Sequence, residues 1–238
     1  MNTTLTTLSA AAIPVGATMV GAGASLKWPP GPVARSHVHH TAAGAIFAAV
    51  ASELVFDLIE RKEVWPVAIG FVLGTLAMLA LRAYAEKRER ANAESATGLL
   101  AALAADVLMD GFVLGIGFAA GARGGLLLTV ALTLELVFLG LSITSALAKS
   151  DATPRRVMGT TLAIAVLLPI GGVLGSLIGT IDSLVTPILA FGAAALLYLV
   201  TEELLTEAHD PENTDTPTAT GAFFLAFLAI LLLDIATR

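Results

Sequence analysis

Long apolar stretches alternate with short polar connections along the whole chain. The apolar stretches fall at residues 4–25, 38–59, 64–84, 96–120, 125–148, 157–179, 184–207 and 219–236. Each is close to the ~20 residues that an α-helix needs to cross about 30 Å of hydrocarbon. Turn residues punctuate the gaps: the first holds Trp28-Pro29-Pro30-Gly31-Pro32, and the last runs Asp210-Pro211-Glu212-Asn213-Thr214-Asp215. The pattern predicts an all-α fold, a polytopic membrane helix bundle of about eight transmembrane helices. No gap is long enough for a soluble domain, so residues 1–238 read as a single transmembrane domain.

Composition agrees with that pattern. Hydrophobic residues make up 56% of the chain and charged ones 13%, more apolar surface than a water-soluble domain of 238 residues can bury. The first stretch has no basic segment ahead of it, so it is expected as a retained helix and not a cleaved signal peptide. Cysteine is absent, which excludes disulfide scaffolds, thiolate metal sites and cysteine nucleophiles. A net charge of −6, scattered along the chain, offers nothing to nucleic acid. Eight spans put both termini on one side. If that side is outside, only Arg61, Lys62, Arg123 and Arg238 are outer bases, and the other nine of the 13 Lys and Arg residues are inner. The bias predicts an integral protein of the plasma (inner) membrane with both termini outside.

Glycines cluster inside the spans: Gly111, Gly115 and Gly117 on the fourth, and Gly171, Gly172, Gly175 and Gly179 on the sixth, after Pro169. Small residues of this kind let helices pack closely, and Pro169 is placed to kink its helix.

The acids carry most of the functional information. Glu53 and Asp57 fall in span two, Asp106 and Asp110 in span four, and Glu135 in span five. Glu202, Glu203 and Glu207 lie toward the end of span seven, and Asp234 near the end of span eight. The span interiors hold no Lys, Arg or His to neutralise them. One charged group at a helix centre costs about 2.5–3.5 kcal/mol on insertion scales, so such acids are functional by default. Glu53/Asp57, Asp106/Asp110 and Glu203/Glu207 are each four residues apart, so each pair projects from one helix face. Two-carboxylate stripes on several helices, with Glu135 added, are how a bundle core builds a carboxylate metal site. His37, His39 and His40 cluster in the first inner loop, where a solvated face is the expected fate.

Intramembrane acids serve two chemistries, cation translocation and catalysis by paired aspartates sharing a proton. Intramembrane aspartyl proteases carry a Gly-x-Gly-Asp signature. Here Asp106 follows Leu103-Ala104-Ala105 and Asp110 follows Val107-Leu108-Met109. The chain therefore reads as a non-enzyme.

At these residues the chain resembles the ZIP (Zrt/Irt-like) metal transporters. On helix four their pattern His-Asn-x-x-(Asp/Glu)-Gly matches Asp106-Val107-Leu108-Met109-Asp110-Gly111 at its last two positions, with Asp106 and Val107 replacing the histidine and asparagine. On helix five His-x-x-x-Glu-Gly becomes Glu135-Leu136-Val137-Phe138-Leu139-Gly140. Glu53 and Asp57 stand where some members carry His and Glu on helix two. Glu202-Glu203-Leu204-Leu205-Thr206-Glu207 is similar to an acidic stretch on the family's helix seven.

The resemblance implies eight helices, both termini outside, and a metal path lined by helices two, four, five and seven. It implies a secondary transporter of divalent cations such as zinc, iron or manganese. The candidate metal ligands are Asp106, Asp110, Glu135, Glu53, Asp57, Glu203, Glu202 and Glu207, with one principal site built from Asp106, Asp110 and Glu135. An oxygen-rich set suits harder cations, although zinc accepts carboxylates too. No cofactor beyond the transported ion is expected, and no phosphate loop for ATP is found. The expected partners are divalent metal ions and the lipid bilayer, with no nucleic acid and a homodimer left open. Protons compete for carboxylates, so uptake should weaken at low pH. A metal sensor or degenerate homologue that does not transport is the alternative.

Overall fold

The computed structural model describes residues 3–91, 97–148, 152–210, 214 and 216–237. Eight of its helices are long and apolar enough to cross a membrane, and no strand occurs among the described residues. They are α1 (Thr3–Lys27), α2 (Pro32–Arg61), α3 (Val64–Ala91), α4 (Thr97–Ala120), α5 (Ala122–Ala148), α6 (Pro154–Ile178), α7 (Asp182–Ala208) and α8 (Pro217–Thr237). Residue 96, Lys149 and Arg238 lie outside the described residues, as does most of the α7–α8 connection.

Local chemistry sets the helix ends. Proline occupies a first-turn position in α2 and α6, where its missing N–H costs nothing and its fixed φ suits the helix. Thr153 adds a side-chain cap by accepting from the backbone N–H of Arg156. Lys62 ends α2 in the left-handed conformation (φ 56°), which turns the chain directly into α3. Inside α6 the helix breaks at Val166. Pro169 has no N–H to offer the Ala165 carbonyl, and its ring crowds that group, which accounts for the interruption.

Helices α2 and α7 share a different irregularity. Each passes through a π-helical stretch, Val50–Leu54 in α2 and Leu199–Leu204 in α7. The stretches fall on matching sequence: Val50, Glu53, Leu54 and Asp57 correspond to Val200, Glu203, Leu204 and Glu207. π-Turns of this kind occur often at functional sites.

The packing repeats the same correspondence. α1 lies along α5 and α4 along α6, while α2 lies along α8 and α3 along α7. Exchanging α1 with α6, α2 with α7, α3 with α8 and α4 with α5 maps these pairings onto one another. Each exchanged pair runs in opposite directions through the bundle, which is the layout of an inverted repeat. Close glycine contacts between helices recur across the repeat, and two of them correspond. A Cβ on Gly21 of α1 would lie 2.0 Å from the Val137 carbonyl oxygen of α5, and one on Gly171 of α6 would lie 2.1 Å from that of Leu108 on α4. Only glycine permits so close a backbone approach.

The dry interior satisfies its hydroxyls locally. Thr18, Thr129 and Thr144 donate to the carbonyls of Pro14, Gly125 and Gly140, four residues back in the same helix. Helices α3 and α8 present Trp65, Phe71, Leu76, Phe224, Leu225 and Leu232 outward, a surface that lipid can solvate.

Candidate metal centre

Helices α4 and α5 are joined through Gly121 alone and pack against each other, which brings their acids together mid-span. Asp106 and Asp110 stand one turn apart on α4, and Glu135 faces them from the middle of α5. One carboxylate oxygen from each lies within 4.8 Å of the others. The three residues are only 7%, 3% and 5% exposed. Asp106 Oδ1, Asp110 Oδ2 and Glu135 Oε2 are buried and accept no hydrogen bond. Among the described residues, no Lys or Arg forms an ion pair with any of the three.

Such a cluster cannot stay fully ionised alone. Two unit charges 4.8 Å apart repel by about 3.5 kcal/mol at an effective dielectric constant near 20. The orphaned oxygens ask for a cation or for protons. The donor set is all oxygen, which fits hard divalent ions.

A narrow cavity of about 40 Å³ adjoins the cluster, lined by Asp106, Glu135, Glu203, Glu207 and His39 among others. That volume is on the order of one water or one ion. It runs toward the side of the bundle that carries the α1–α2 turn, where α2 begins and α7 ends. Glu203 is half-buried, and the Glu207 side chain is 53% exposed at the mouth. His39 Nε2 lies 3.3 Å from Glu207 Oε2, and its ring tilts against Phe138.

The histidines are therefore not in a loop. His37, His39 and His40 all lie within α2, and His39 and His40 are buried. His37 bonds the Thr218 hydroxyl of α8 at 3.1 Å, while His40 bonds the Ser36 carbonyl and packs its ring edge-on to that of His209. A signal for this was present in the sequence. Gly31 followed by Pro32 marks a helix start, and a helix starting there runs through all three histidines.

Glu53 and Asp57 project from the other end of α2 and do not join the triad. Glu53 is buried, and its Oε1 lies 3.3 Å from Arg123 Nε, in the first turn of α5. Arg123 also pairs with the Asp234 carboxylate and donates to the Asp234 backbone oxygen at 2.8 Å. Asp57 lies one turn beyond, half-buried. The expectation that no base neutralises the buried acids thus fails at Glu53 and Asp234. Arg123 sits outside the span limits read from hydropathy, yet its side chain reaches both. Glu202 is not with the triad either: it is exposed and paired with Arg82.

Between these two regions the bundle is packed with apolar side chains. Leu114 on α4 and Leu128 and Leu132 on α5 are all fully buried. They separate the triad from the Arg123 corner.

Eight membrane-crossing helices around a buried acidic cluster define a polytopic membrane protein. The family model of the ZIP zinc transporters matches residues 83–232, more than half of the sequence, and the chain belongs to that family. A search of curated proteins finds no match. The matched stretch contains the triad, Glu203 and Glu207, whereas His39, Glu53, Asp57 and Asp234 fall outside it. Membership carries divalent metal transport by a membrane helix bundle as the general activity.

Proposed function

We propose that the chain is a secondary transporter that passes divalent cations through the site formed by Asp106, Asp110 and Glu135. One observation carries this reading: three buried carboxylates within 4.8 Å of one another, each with an oxygen lacking a hydrogen bond and none paired with a base among the described residues. Val107 and Leu139 are apolar where a second set of ligands would stand, so one ion is held at a time. Glu203, Glu207 and His39 form the leg toward the α1–α2 side, and Glu53 and Asp57 belong to the opposite leg. At each step carboxylate oxygens replace water around the ion, tightly enough to select it and loosely enough to let it leave.

The oxygen-rich site favours manganese, ferrous iron, magnesium or calcium over softer ions. Zinc stays within reach, since it also accepts carboxylates. By the distribution of Lys and Arg, the α1–α2 side is cytoplasmic, both termini lie outside, and the membrane is the plasma (inner) membrane. No chemistry on a covalent bond is involved, and no cofactor is needed besides the transported ion.

The test is metal uptake into proteoliposomes holding the purified protein, with Zn, Mn, Fe, Co, Cd, Mg and Ca each offered alone, beside an Asp110→Ala variant. Uptake of at least one ion, lost in the variant, is the expected result. Metal binding with no uptake of any ion would replace this reading with a sensor.

A further inference from the structure

The two ends of the path hold their bases differently. On the α1–α2 side the cavity reaches the triad past Glu203 and Glu207; none of the described residues that line it is Lys or Arg, and Arg82 is held away on the exposed Glu202. On the α4–α5 side a guanidinium sits among the acids. We propose that Arg123 is a positioning residue of the transport cycle, the latch that keeps the α4–α5 side of the path shut. This inference rests on the transporter reading above.

The contacts argue for it. Arg123 ties the first turn of α5 to α2 through Glu53 and to α8 through both the carboxylate and the backbone oxygen of Asp234. The planar guanidinium hydrogen-bonds the carboxylate and the backbone oxygen of Asp234 in fixed directions, as an ammonium does not, and attracts Glu53 by charge. Glu53 stands in the π-helical stretch of α2, and the neighbouring residue of Arg123 is Gly124, where a Cβ would lie 3.2 Å from Glu53 Oε2. The missing side chain leaves room for the carboxylate to reach the arginine.

Beneath the latch lie the buried Leu114, Leu128 and Leu132, and beneath them the triad. Helix α5 bears Arg123 near one end and Glu135 near its middle, so the latch and a ligand move with one rigid element. Both acids are buried, whereas Arg123 is 33% exposed. Water can therefore take over its contacts when the side opens, and closing restores them. Alternating access requires that the two ends not open together, and this ion-pair cluster supplies the closure at one of them.

The native chain has no cysteine, so single introduced cysteines report alone. Ala131 is fully buried one turn from Glu135, toward Arg123. Gly121 is exposed in the α4–α5 turn with open space around it. A membrane-impermeant maleimide is added to sealed proteoliposomes on whichever side labels Gly121→Cys. Ala131→Cys should react slowly in the native background and about tenfold faster with Arg123→Gln, the shift expected when a closed-state contact is lost. Arg123→Lys should give an intermediate rate. Ser142→Cys, which faces the opposite cavity, should label from the other side no faster with Arg123→Gln than in the native background.

Should Arg123→Gln fail to fold, the double variant Glu53→Gln/Asp234→Asn removes the acceptors and should open Ala131→Cys in the same way. Unchanged Ala131→Cys labelling in a folded variant overturns the latch. The readout needs no metal, so absence of metal uptake would defeat the transporter reading without altering it.

Discussion

Two groups of buried acids occupy this bundle, and their surroundings are opposite. Asp106, Asp110 and Glu135 sit mid-bundle within 4.8 Å of one another, with orphaned oxygens and no base. Glu53 and Asp234, equally buried, share one arginine. Residue type and burial are the same in both places. The difference lies in whether the chain brings its own cation. Where Arg123 is built in, one guanidinium pairs with both carboxylates and links their helices. At the triad nothing in the described chain neutralises the charge, which is the ground on which we propose that a transported cation does.

The sharpest way to break this contrast is to neutralise acids in each group and compare uptake. Asp106→Asn combined with Glu135→Gln should lower uptake by about 100-fold or more, because removing partners from a dry ionic site costs ~3–5 kcal/mol. Glu53→Gln should lower it by about tenfold at most, since Arg123 keeps Asp234 as a partner. Equal losses in the two variants would erase the distinction.

Stability should respond with opposite sign. Arg123→Ala strands two buried carboxylates, and we expect a loss of about 2 kcal/mol, less than for a fully buried pair because the arginine is partly exposed. Asp106→Asn relieves the repulsion within the triad and should raise the melting temperature of metal-free protein. Thermal unfolding in metal-free buffer checks both, and a destabilised Asp106→Asn would mean that the triad is neutralised by something native to the chain.

Acidification should act on the triad as a competitor. A proton on a carboxylate removes the charge that holds the cation, and protonation grows as pH falls. Uptake should therefore fall steadily as pH is lowered, by about threefold or more between neutral pH and pH 4. Initial rates measured across that range decide it, and a steady rise on acidification would contradict carboxylate ligation. The smallest effect belongs to Glu202→Gln. Its exposed pair with Arg82 is worth less than about 1 kcal/mol, so uptake should stay within about twofold of native in the same assay.

Much of this was legible in the residues because of two strong signals. Apolar run length marks each helix regardless of how the helices pack, and buried acids are costly enough that their positions alone flag function. Gly111, Gly140 and the four-residue spacing of Asp106 and Asp110 likewise carried the family resemblance. What was not legible depends on side chains that cross between elements. Arg123 reads as a loop base because hydropathy cannot reveal that its long side chain turns inward to Glu53 and Asp234. Glu202 and Glu203 are adjacent in sequence, and only the π-turn and the packing of α7 decide that Glu203 lines the cavity while Glu202 meets Arg82. The correspondence of Val50–Asp57 with Val200–Glu207 was present in the sequence, but the inverted pairing of helices gives it meaning.

The most direct test of the central claim is anomalous diffraction from crystals of the purified protein grown with manganese. An anomalous peak is expected among the carboxylates of Asp106, Asp110 and Glu135, with Arg123 still seated on Glu53 and Asp234. A peak only at Glu53 and Asp234 with Arg123 displaced, or no peak at the triad at saturating manganese, would contradict it.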